Sequence, residues 1–256
     1  MKRFTTALLV ALMMAMPSVA MAQTDTPTDE PNRETVTNQT TDQTTDQQTA
    51  RGRDLEKAKS AVLRSIGVRI AALDSAMVRV EGAAHLTASH KATLTSDYRF
   101  HRDGLASLRV KVEATETLLE LAPFGKAVVE EHWIFALQIP KGGLTNAADV
   151  VADVTVKAER VSDEFAQVLA RLESNGINVE KGWELLEDFN AEVADAQLLA
   201  ASIPDIVLAI QVTQMPGAQS TLDSARADLR RAHGSLTEAR SIARELVQCI
   251  RSVVDF

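Results

Sequence analysis

The stretch STLDSARADLRRAHGSLTEARSIARELVQCIRSVV, Ser220–Val254, decides the fold. Its apolar residues Leu222, Ala225, Leu229, Ala232, Leu236, Ala239, Ala243, Leu246, Ile250 and Val253 recur at alternating steps of three and four, with charged residues between them. That period lays one continuous apolar face along an α-helix and does not match the alternation of a strand. The leading Ser220-Thr221-Leu222-Asp223 reads as a capping box.

Working outward, the same period recurs along the chain. Leu55, Ala58, Val62, Ile66, Ile70, Leu73, Met77, Val80 and Ala84 form a first stripe, closed by Gly82 and the histidines that follow. Leu94, Tyr98, His101, Leu105, Leu108 and Val112 form a second, with Thr87 placed as N-cap and Ala88, Ser89 and His90 as its first turn. A third runs from Leu144 through Val151, Val161 and Phe165 to Val168 and Leu172, and stops at Ser174-Asn175-Gly176. A fourth begins at Asn178 as N-cap and continues through Trp183, Leu186, Phe189, Val193 and Ala200 to Ile203, where Pro204 either kinks or ends it.

Long helices joined by short turns pack antiparallel, and 3-4 spacing favours shallow crossings. The expected fold is therefore all-α, an elongated antiparallel helical bundle of about five to six helices with coiled-coil-like packing.

Thr115–Gly143 differs in kind, because it concentrates Phe124, Trp133 and Phe135 in a chain of 4% aromatic content and is punctuated by Pro123, Gly125, Pro140 and Gly142-Gly143. It reads as one shorter helix, about Lys126 to Ile139, apolar on more than one side and the most buried element. Phe124, Trp133 and Phe135, with the IPDIVLAI segment beginning at Ile203, are the candidate pocket for a small apolar ligand.

The N-terminal MKRFTTALLVALMMAMPSVAMAQ has a positive start, a short apolar run and an Ala-Met-Ala site, the pattern of a signal peptide spanning 1–22. Export through the secretory pathway is expected, to the periplasm, the cell wall or the outside. No later run approaches the ~20 apolar residues that a bilayer requires, so no transmembrane anchor is expected in the mature form. Residues 23–50, rich in Thr, Gln and Asp, lack the apolar content to offset the entropy of ordering and read as a disordered spacer. The bundle then occupies 51–256.

Lys2 and Arg3 leave with the signal segment, so the mature chain is more acidic than the formal −8 of the whole. That charge, and the expectation that no helix carries a basic stripe, argue against nucleic acid and anionic lipid as partners.

His85, His90 and His101 fall within seventeen residues, but His90 and His101 would stand ~16 Å apart along one helix, too far to share a zinc ion. They read as a turn histidine, a surface histidine and a polar residue at an apolar stripe position. Glu130, Glu131 and His132 are a candidate acid–base cluster, although no Glu-x-x-His pair of a di-iron bundle occurs and solvent-facing carboxylates beside a core Trp133 explain them as well. Nucleophile elbows, Walker loops, dinucleotide glycines and zincin motifs do not occur either. No catalytic, metal or cofactor residue is assigned and no enzyme is expected. The single Cys249 is either a buried thiol or the bridge of a homodimer.

The runs IGVRIAALDSAMVRVEGAAHLTASHKATL, GLASLRVKV, IFALQIP and SARADLRRAHGSLTEARSIARELV resemble secreted bacterial proteins built as Ala-rich helical bundles, a group without an assigned function. The resemblance implies the bundle fold and export. In that group the second helix opens with Leu-Thr-Pro and an acidic residue in the first turn, whereas here Ala88 and His90 stand at those places, which weakens the local cap. The expected role is an interaction or structural one, with a protein or another cell-envelope component as partner. The alternative is a carrier or sensor of a small apolar ligand.

Overall fold

A computed structural model of the chain describes residues 43–130 and 132–254. The signal segment and most of the spacer lie outside the described residues, as do the side chains of Glu130, Glu131, His132 and Trp133. The described residues form an all-α bundle. In order the helices are α1 (Gln43–Gly82), α2 (Ala88–Glu113), α3 (Leu118–Glu130), α4 (His132–Ser174), α5 (Glu180–Ala201), α6 (Ile203–Ala209) and α7 (Gln219–Val254), with a 3-10 turn at Val212–Gln214. The backbone of α1 is already helical at Gln43, ahead of the boundary expected at 51. Extending an existing helix costs far less than starting one.

The long α4, ~65 Å at 1.5 Å per residue, is the spine, and three apolar clusters sit along it. Near its start, α1, α2 and α3 enclose Ile66, Leu73, Leu94, Tyr98, Leu105, Val112, Leu121 and Val128, with Phe135 and Ile139 of α4 packed against them. Its middle packs Leu137, Leu144 and Val151 against the end of α5, α6 and the first half of α7. Beyond that, Val161, Phe165 and Leu169 meet Leu186, Phe189 and Val193 of α5 and Ala239, Ala243 and Leu246 of α7. The end of α4 thus meets the start of α5, and α7 runs back between them.

The Ser220–Val254 stripe is buried along its length from Leu222 to Leu246. Each fully buried Leu contributes ~1.5–3 kcal/mol relative to exposure, and the intervening alanines let the neighbours approach closely. Ala232 is fully buried, so enlarging it to Leu would cost ~1–3 kcal/mol through overpacking. The helix starts at Gln219, two residues earlier than a cap at Ser220 implied, and the Ser220 hydroxyl donates to the Gly217 carbonyl from within the first turn.

The turn between α4 and α5 has a defined stop. Gly176 adopts φ 81°, its N–H reaches the Glu173 carbonyl at 2.9 Å, and the Ile177 N–H reaches the Leu172 carbonyl at 3.1 Å. These are the two bonds of a Schellman motif, which needs the left-handed conformation that glycine adopts without penalty. Val179 then occupies the N-cap position, while the Asn178 side chain accepts the Glu180 N–H.

The structure redraws the central segment and resolves the outcome at Pro204. The short central helix is Leu118–Glu130, with Pro123 inside it, and residues 132–139 belong to α4, which runs through Pro140 and Gly142-Gly143 without ending. Leu137, Lys141 and Leu144, at steps of four and three, bury one face of α4 through this stretch, and Tyr98 packs over Gly142 beside it, which holds the helix through its weak sequence. The expected Lys126–Ile139 element, read as the most buried one, is thus divided between α3 and α4, with Val128, Leu137 and Gln138 buried and Lys126 exposed. Finally, α5 ends at Ala201, and Pro204 lies in the first turn of α6, where a missing N–H costs nothing.

Candidate functional site

The notable chemistry lies where α2 crosses α4. One face of α4 carries Gln138, Lys141, Thr145 and Asp149 at steps of three, four and four, all buried. Burying such groups without partners costs several kcal/mol, so where their bonds go decides what this face does.

Lys141, 1% exposed, is the centre. Its Nζ donates to Asp97 Oδ2 of α2 at 3.1 Å and to the Ile210 carbonyl, at the end of α6, also at 3.1 Å. One ammonium therefore joins three elements. Beside it the Tyr98 hydroxyl donates to the Gln138 carbonyl at 3.0 Å. The hydroxyl lies where a Cβ on residue 142 would stand, so Gly142 is required by this close approach. Burial pushes Tyr98 up to about 12; the Asp97 charge adds to this, while Arg79 and the Gly142 backbone oppose it.

His101, at its polar stripe position, accepts from Gln138 Nε2 at 3.0 Å through its own Nε2. Burial holds the imidazole below its ordinary range, Asp97 opposing and Lys141 adding to the shift. A neutral ring is therefore the form this site favours. Gln138 Oε1 and Thr145 Oγ1 remain without a hydrogen-bond partner.

Toward the other end of the crossing, α4 presents two carboxylates one helical turn apart. Asp149 Oδ2 accepts from His90 Nδ1 at 2.8 Å and from the Thr87 backbone N–H at 2.9 Å. Asp153 Oδ2 accepts from His85 Nδ1 at 2.9 Å and from Lys157 at 2.6 Å. The Lys157 hydrogen bond, opposed by some desolvation and helped by His85, lowers Asp153 below its usual range.

His85 lies in the turn before α2, as expected, whereas His90 is not a free surface residue; each ties α2 or its leading turn to α4. The geometry also corrects the weak cap. Thr87 Oγ1 does accept the His90 N–H, at 3.2 Å, and the acid missing from the first turn of α2 is supplied from α4 by Asp149. Among the described residues no three His, Cys, Asp or Glu side chains come together to hold a metal ion.

The candidate pocket residues lie elsewhere. Phe124 and Phe135 are partly buried against the cluster of α1, α2 and α3, joined there by Leu208 of the IPDIVLAI segment. The guanidinium of Arg69 stands 5.8 Å from the Phe135 ring centroid, within cation–π range. Ile203, Val207 and Ile210 of the same segment belong to the middle cluster of α4, so the expected pocket divides between two cores. Cys249 is half-buried against the third cluster.

The solvent face of α1 aligns Arg53, Lys57 and Arg64, all exposed, with exposed Asp54 and Glu56 beside them. The overall negative charge masked this local arrangement.

Sequence reasoning missed Asp97, Gln138, Lys141, Asp149 and Asp153. The available signal was the four-residue recurrence Lys141, Thr145, Asp149, Asp153, a polar stripe hidden behind the apparent punctuation of Pro140 and the glycines.

No family model, curated protein or solved structure matches the chain.

Proposed function

We propose that the chain is an exported helical-bundle protein with coiled-coil-like packing, acting through its surface in a structural or interaction role at the cell envelope or outside the cell. The observation that carries this reading is the destination of the buried polar bonds: Lys141 joins α2, α4 and the end of α6, and the His85 and His90 pairs tie α2 and its leading turn to α4. Groups used in this way hold helices in place, and the faces left to meet other molecules are the outer ones. The Lys2-Arg3 start and the Ala-Met-Ala site support export.

The test is co-sedimentation of the purified chain with isolated cell envelopes over a salt series. Saturable pelleting is expected, weakening with salt if charged faces carry the contact. A chain that stays in the supernatant at every salt concentration would sink the envelope role.

The partly buried group of Phe124, Phe135 and Leu208 favours a second reading, a carrier of a small apolar ligand. It requires quenching of the fluorescence of Trp133 or Trp183 on addition of such a ligand, and an unchanged spectrum across a panel of them counts against it.

A further inference from the structure

The outer face of α1, turned away from its buried Ile66, Leu73 and Val80, presents Arg53, Lys57, Ser60, Arg64, Val68 and Ala71, all exposed. The steps between them are four, three, four, four and three. The outer face of α5 presents Glu180, Glu184, Glu187, Ala191, Asp195 and Leu198, also all exposed, with the same succession of steps. The first stripe holds no carboxylate, with Asp54 and Glu56 exposed beside it, and the second no cation, with Lys181 on its flank reaching Glu184 at 3.1 Å, a bond that a docked Lys57 would share. Toward its end each carries a large apolar side chain left in water, Val68 at 72% and Leu198 at 78% exposure.

Two helical stripes with equal spacing can lie side by side in register, as in a coiled coil. In parallel alignment Arg53 faces Glu180 and Lys57 faces Glu184, with Glu187 in reach of both Lys57 and Arg64. Farther along, Ala71 faces Leu198 with Val68 beside it, and Val68 itself stands opposite Asp195. Within one chain this pairing is not made, because α1 packs in the first apolar cluster while α5 packs in the other two. A shallow groove of about 450 Å³ between α1 and α2, lined by Lys59, Arg64 and Arg109 together with Glu56 and Glu113, opens beside the α1 stripe.

We propose that the α1 stripe of one copy docks on the α5 stripe of a second copy, so that the protein self-associates head to tail. The contact is heterologous, each copy offering a different patch, and it extends into a ring or an open chain according to whether the rotation closes. The proposal names a partner for the surface role proposed above and rests on that reading; the pelleting assay tests the envelope contact separately. A second copy fits better than an anionic surface, because the complementary acidic stripe, in matching register, is on the same chain.

The test is sedimentation velocity of the purified full chain at about 20 mM and about 1 M salt, which brackets weak and strong screening. Lys57→Glu with Arg64→Glu, Glu180→Lys with Glu184→Lys, and the four substitutions combined are compared with the wild type. All four positions are exposed, and circular dichroism checks that helicity is kept. Wild type should form larger species at low salt that dissociate at high salt. Each charge reversal alone should weaken association at least tenfold, and an equimolar mixture of the two reversed proteins, like the combined variant, should regain it. A wild type that stays monomeric at high concentration and low salt overturns the proposal, as do single reversals that associate like wild type. Binding of a monomeric chain to phosphatidylglycerol vesicles, abolished by Lys57→Glu and Arg64→Glu, overturns it in favour of an anionic lipid surface.

Discussion

Asp149 of α4 caps α2 from outside that helix: its carboxylate lies 2.8 Å from His90 Nδ1 and accepts the Thr87 N–H at 2.9 Å. Replacing Asp149 with Ala leaves a backbone donor and an imidazole without their acceptor. Hydrogen bonds to charged groups contribute ~1.5–3 kcal/mol each, so Asp149→Ala should destabilise the fold by about 2–4 kcal/mol, with Asp149→Asn losing less because its amide oxygen still accepts from Thr87. Urea denaturation checks this, and two variants with wild-type midpoints would show that the cap contributes nothing.

Lys141 supports a second comparison. Lys141→Ala takes the buried ammonium away from both its acceptors, Asp97 and the Ile210 carbonyl, and opens a cavity, at a cost of about 3–5 kcal/mol. Lys141→Met keeps most of the volume but leaves the Ile210 carbonyl unpaired, and should cost roughly half as much. If Lys141→Met matched the wild type in thermal denaturation, the bond to Ile210 would be dispensable.

At Gly142 an alanine would overlap the Tyr98 hydroxyl. Gly142→Ala should therefore destabilise, although Ala is favoured over Gly inside a helix by ~1 kcal/mol. In a Tyr98→Phe background the obstruction is gone and the same change should stabilise. The sign reversal, read from a double-mutant cycle, is the diagnostic outcome. An additive cycle would mean that the hydroxyl does not sit over residue 142.

Two groups in this joint give the stability curve opposite limbs. His101 is held below 6.5 in the folded state by burial, so its contribution is complete above pH 6.5 and is lost as pH falls through the lower folded value. Tyr98 is raised from 10.0 to about 12, so its contribution is complete below pH 10 and is lost as pH rises through about 12. A shift of that size on a side chain 1% exposed is worth on the order of 2 kcal/mol. Melting temperatures across pH should show Tyr98→Phe flattening the alkaline limb and His101→Gln flattening the acid one. Variant curves parallel to the wild type would assign both limbs to other residues.

How much was legible follows from the range of each interaction. Leu222 to Leu246, Leu94 to Val112 and the Thr87 cap were readable because a helix face and its cap are set by residues three and four apart. The break at Pro204 was readable as a place but not as an outcome, since proline tolerates both a kink and a first turn. The continuation of α4 through Pro140 was not readable at all, because propensity marks those residues as a stop and only tertiary packing overrides it. The partners of Lys141, 44 and 69 residues away, were equally hidden.

By itself, then, the sequence determined that the chain is helical, where most of the helix faces lie and which residues they bury. Only the tertiary structure decided that α4 is one spine, that its polar face closes on α2 and that Asp149 completes a cap begun at Thr87. Apolar burial is non-directional and repeats along one helix, so its pattern survives in one dimension. Charges and hydrogen bonds are directional and join segments that the chain brings together only on folding.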